Sequence, residues 1–135
     1  MIRTALIDAL IAEATVSALV DDRVYPIKPP RDAAYPQLIV MNDGGGREAD
    51  MDGPDCVRHP QIRIDCRAYI PDEADALATA VEAYLDGFSG TIGDYAVQGI
   101  HLIDDPDEYQ PTLDADEKDV YWVSLVFTVW YGSAS

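Results

Sequence analysis

Apolar and polar positions alternate along the 135-residue chain with two distinct periods. In residues 2–20, Ile2, Leu6, Ala9, Leu10, Val16, Leu19 and Val20 recur mostly at three- and four-residue spacing, which predicts an amphipathic helix. Asp21-Asp22 and then Tyr25-Pro26 follow it, and acidic residues there oppose the helix dipole and favour a stop. Residues 23–36 carry four prolines and read as an extended arm or loop rather than a central strand. Gln37 to Met41 reads as a short buried strand. Residues 61–69 alternate with period two. Ile62, Ile64, Cys66 and Ala68 face one way, and Arg63, Asp65, Arg67 and Tyr69 the other. Pro71-Asp72-Glu73 opens a second helix over 72–86, with Ala74, Leu77, Ala78, Val81, Tyr84 and Leu85 as its apolar stripe and Gly87 just past its end. Residues 95–103 read as a third strand.

Residues 120–131 form the longest strand candidate. Tyr121, Val123, Leu125, Phe127 and Val129 line one face; Val120, Trp122, Ser124, Val126, Thr128 and Trp130 line the other. Both faces are largely apolar or amphipathic, so the strand is expected to be buried on both sides, with a neighbouring subunit as the alternative cover for one face in a chain that has only two long helices. The expected fold class is α+β: a mainly antiparallel four-stranded sheet with two helices packed on one face, in a single domain spanning 1–135. The last strand is expected to insert between its two predecessors. Long loops interrupt the frame at 42–60 and 104–119. The first, at about 19 residues, exceeds the ~12–15 usual for an inert connection. The second is acidic.

Composition narrows the functional classes. Nine Lys and Arg face 25 Asp and Glu, a formal net charge of −16. No sequence-specific nucleic-acid binding is expected, since phosphate contacts need clustered cations. No polybasic segment suits an anionic membrane surface. The N-terminal segment is interrupted by Arg3, Asp8 and Glu13, so it reads as neither a signal peptide nor a membrane span, and a reducing cytoplasm is the expected compartment. Two cysteines are too few for a disulfide framework.

Candidate chemistry is sparse. Cys56 and His59 have a short metal-like spacing, but Cys66 and His101 do not complete it as a second pair. The acidic loop fails the EF-hand pattern, because the sixth position is Gln110 counted from Asp105 and Asp119 counted from Asp114. Gly44-Gly45-Gly46 lacks the ending of a phosphate loop, and no serine has a nucleophile-elbow context. No cofactor, metal or catalytic residue is expected.

Several segments in order resemble a known family. They are the N-terminal helix, Arg23-Val24-Tyr25-Pro26, Tyr35-Pro36-Gln37-Leu38-Ile39-Val40, and the alternating strand from Gln61. The helix ending Tyr84-Leu85-Asp86-Gly87-Phe88 and the closing run Tyr121 to Tyr131 complete the set. From about residue 2 to 131 the chain looks like the tail-completion (tail-terminator, head–tail joining) family of long-tailed bacteriophages and prophages. The resemblance implies a structural virion protein, assembled in the bacterial host cytoplasm. It implies a homo-oligomeric, typically sixfold, ring that caps the tail tube, ends its polymerisation and docks onto the head connector. Partners would be further copies of itself, the tail tube protein and the connector. An acidic lumen wall would keep passing DNA from sticking.

Assembly would fall to the aromatics Trp122 and Trp130, to Arg63 and Arg67, and to Asp43, Gly45 and Arg47 in the first long loop. The tryptophans suit either an interface or the core of one subunit. The arginines suit either acids on a neighbour or modest pairs within the chain. Another connector component (adaptor or stopper), an acidic monomeric binding module and an enzyme are the competing readings.

Overall fold

A computed structural model describes residues 2–27, 35–42, 59–93, 95–104, 107–110 and 120–133. The N-terminal helical segment is two helices, α1 (Ile2–Ala12) and α2 (Ala14–Val20), where the sequence predicts one. Glu13 between them is extended, at φ −77° and ψ 118°. The cause is visible in the apolar spacing. Leu6 and Leu10 share a helix face, but Val16 lies six residues beyond Leu10, off the 3.6-residue period. One extended residue re-phases the chain, and Leu6, Leu10, Val16 and Val20 all reach the core fully buried.

The third helix, α3 (Pro71–Leu85), starts with proline in its first turn and Asp72 and Glu73 near its positive end. Asp86 caps it, and Gly87 follows in the left-handed region at φ 82°, where glycine carries no Cβ penalty. The Gly87 N–H donates to Ile100 O and the Ile100 N–H to Phe88 O, so the helix exit is tied to the sheet.

Among the described residues seven strands form one sheet: β1 (Val24–Pro26), β2 (Gln37–Asn42), β3 (Gln61–Ala68), β4 (Gly90–Ile92), β5 (Tyr95–Asp104), β6 (Asp107–Gln110) and β7 (Val120–Ser133). The order is β1-β2-β3-β7-β5-β4. β6 continues the line of β5 along the same edge of β7. The expected insertion of the last strand between its two predecessors is present, since β7 pairs antiparallel with β3 and β5.

The expected four strands and two helices are corrected to seven and three among the described residues. Three of the strands have only three or four residues, too few to display a period. β1 lies inside the proline-rich arm as an edge strand and pairs parallel with β2, so the sheet is mixed. The Arg23 Nε–H donates to Pro36 O at 2.8 Å, holding the starts of β1 and β2 together. β6 lies inside the segment read as an acidic loop, where the 14-residue β7 extends far enough past β5 to pair with it.

All three helices cover one face. α3 lies over β3, β7 and β5, whereas α1 touches β1 and β2 at one end of the strand order and β4 at the other, so the sheet curls around them. Their buried side chains form a single core with Leu38, Val40, Ile62, Ile64, Cys66, Leu125, Phe127 and Val129. No described helix is long and apolar enough to cross a membrane.

Candidate assembly face

The opposite face of the sheet carries no helix among the described residues, and the register sets its side chains in cross-strand rows. Gln37, Arg67 and Trp122 form the first row, across β2, β3 and β7. Ile39, Asp65 and Ser124 form the second; Met41, Arg63 and Val126 the third. Gln61, Thr128 and His101 follow, and then Trp130 opposite Gly99. These are the alternate positions to the core residues, so the pleat itself produces the face.

In the first row the Arg67 guanidinium carbon stands 5.2 Å from the centroid of the Trp122 ring and 6.0 Å from that of Tyr35. Both distances are within cation–π range. Tyr35 in turn packs on Tyr69, with ring centroids 4.5 Å apart. Arg67 Nε and both amide atoms of Gln37 are buried without hydrogen-bond partners, and the Gln37 side chain is fully buried. In the second row Asp65 is buried and accepts from Ser124 Oγ at 2.7 Å and from Arg63 Nε at 2.9 Å. At the far end Trp130 is 40% exposed, too much for a core residue, and His59 stacks on it at 4.4 Å. Ile103, at a β5 bulge, is also exposed.

The structure thus brings four of the sequence-predicted residues, Arg63, Arg67, Trp122 and Trp130, onto one face. Both tryptophans lie outside the buried core. Arg63 is engaged within the chain by Asp65. Asp43, Gly45 and Arg47 lie outside the described residues, as does Cys56. Cys66 points into the core, where burial, with the Asp65 charge beside it, pushes its thiol pKa up and keeps it protonated. Among the described residues no three His, Cys, Asp or Glu side chains converge as a metal site requires. Sequence reasoning missed Gln37, the Asp65–Ser124 bond and the His59 stack. The only trace of them was the polar phase of the alternation.

A family model described as Tail completion protein gp17 matches residues 4–132, nearly the whole chain. The chain belongs to the tail completion protein gp17 family. Membership makes it a structural protein of the phage tail, working in virion assembly against other tail and head components. Among solved structures, a chain of the "Virion of native gene transfer agent (GTA) particle" superposes with a TM-score of 0.66 at 22% identity, over 97% of this chain and 94% of that one. At that identity the likeness is one of fold. Comparison with curated protein sequences gives no match.

Proposed function

We propose that copies of this chain close into a ring, six-membered, which caps the finished tail tube, stops addition of further tube subunits and joins the tail to the head connector. The role is geometric: one ring surface copies the mating surface of a tube subunit, and the other presents the connector with a different one. No catalysis is involved. Within the family assignment, the observation that carries this reading is the helix-free face. Two tryptophans and two arginines lie on this one face of the most central strands, and one of those tryptophans is exposed. Large aromatics and arginine dominate the energetics of protein interfaces. The net charge of −16 opposes nonspecific association and leaves assembly to specific contacts.

The test is tube growth with the cognate tube protein. Added to growing tubes, the protein is expected to halt elongation and leave a ring of density on one tube end in negative-stain micrographs. Tubes that lengthen unchanged while the protein binds only isolated head connectors would identify it as an adaptor or stopper instead.

A further inference from the structure

β1 and β2 follow one another in the chain yet pair in parallel, with Val24 opposite Leu38, Tyr25 opposite Ile39 and Pro26 opposite Val40. Parallel pairing obliges the chain to return from the end of β1 to the start of β2, which ordinarily takes a dozen or more residues. Here the link is residues 27–36, ten positions. Its sequence holds Pro29-Pro30, and proline favours extended chain over a compact return. The turn back starts at once. Ile27 lies in the left-handed region at φ 64°, where a β-branched side chain is an outlier. Its N–H donates to Val40 O at 3.0 Å, but Ile27 is 60% exposed, so burial offers little in return. Asp21, ahead of β1, is also left-handed, at φ 54° and ψ −116°. Among the described residues these are the non-glycine positions with positive φ. Such strain persists only where the surroundings impose it. What imposes it is the unit of α1, α2 and β1, anchored in the core by Ile2, Leu6, Leu10, Val16, Val20 and Val24.

We infer that in the assembled ring this N-terminal unit, residues 2–26, is exchanged between neighbours: α1, α2 and β1 of one copy seat in the core of the next, with β1 pairing on the next copy's β2. This rests on the ring reading and states how neighbours are tied. The occupant of the β2 edge is a second copy, because its identical residues reproduce every contact in the same register. Short connections under strain invite such exchange, and exchange of an identical element is a low-cost route to oligomers. A link that runs on to a neighbour needs no return, and Ile27 relaxes to ordinary extended backbone. Extended, ten residues reach about 33 Å. Exchange that proceeds head to tail is heterologous, the contact from which rings are built. The exchanged contacts equal those within one copy. The balance is therefore set by the strain released and by the new contacts that the helix-free face makes between neighbours.

The experiment asks whether β1 and β2 of one pair belong to one chain. Tyr25→Cys and Ile39→Cys place two thiols opposite one another on the two strands, in a chain that also carries Cys56→Ser and Cys66→Ala. Ring-sized particles are isolated by size exclusion, cross-linked with a short bis-maleimide and run on a denaturing gel. The expected result is a ladder of covalent dimers and higher multiples. Both thiols consumed at the subunit mass alone would show that each copy keeps its own unit, overturning the exchange and leaving the ring standing. Ile27→Gly reports independently if the cysteine chain fails to fold. Glycine adopts φ 64° without strain, so the closed monomer gains and the concentration for half-assembly is expected to rise about tenfold, the scale of one left-handed residue. An unchanged threshold in a chain that circular dichroism shows to be folded would also overturn the exchange. A wild-type chain that assembles neither in solution nor on tail tubes would remove both readings.

Discussion

The two faces of β3 and β7 differ in what determines them. On the helix side the middle positions are apolar and almost wholly buried: Ile62, Ile64 and Cys66 on β3, Leu125, Phe127 and Val129 on β7. On the other side, alternate residues of the same strands include a buried carboxylate, a fully buried unpartnered amide one strand away, a guanidinium packed on aromatic rings, and an exposed tryptophan. The first face obeys the transfer of apolar surface out of water and specifies the monomer. The second departs from that rule residue by residue, and such departures in a folded protein concentrate where function is located.

That contrast is broken most severely from the core side. Phe127→Ala removes a fully buried ring at the centre of β7 and is expected to cost about 3–5 kcal/mol of stability by urea unfolding, abolishing assembly only because the subunit unfolds. A comparable loss at the exposed Trp130 would erase the distinction between the faces. Next comes Asp65→Ala, which leaves Ser124 Oγ and Arg63 Nε without their acceptor in a buried place; the expected cost is about 1–3 kcal/mol. Gln37→Leu runs the other way. Its amide makes no hydrogen bond, so an apolar replacement is expected to add about 1 kcal/mol, seen as a melting temperature raised by roughly 3–5 °C. A fall instead would show that Gln37 has a partner.

Cys66 gives the smallest effect, and its sign is fixed. Its folded-state pKa is raised by burial, so between the unfolded value, about 8.5, and the folded one the native state keeps a proton that the unfolded state has released. The contribution is therefore fully present below about pH 8.5 and is lost as pH rises above it. Unfolding measured from pH 7 to 10 is expected to show a steeper fall for wild type than for Cys66→Ala.

The sequence made the long elements legible because each is long enough to show its period. The helix expected over 72–86 is Pro71–Leu85, and the two-sided alternation from Val120 is the 14-residue β7. The break at Glu13 was also written in the six-residue gap from Leu10 to Val16, although a count of apolar spacings passes over it. The strands at 24–26, 90–92 and 107–110 were not legible, since three or four residues carry no pattern and the sheet alone recruits them. At the candidate face, Arg63, Arg67, Trp122 and Trp130 could be assigned a common side from the phase of their own strands. What joins them could not. The Ser124–Asp65 bond links positions 59 residues apart, and the Gln37–Arg67–Trp122 row depends on the register of three strands.

The most direct test of the central claim is the solution mass of the wild-type chain beside Trp122→Ala with Trp130→Ala, by light scattering after size exclusion, at low and high salt. The expected result is a wild-type mass near six times the 14.8 kDa subunit and a folded monomer for the double variant. A folded double variant that keeps the wild-type mass at both salts would contradict it, because the helix-free face would then take no part in assembly.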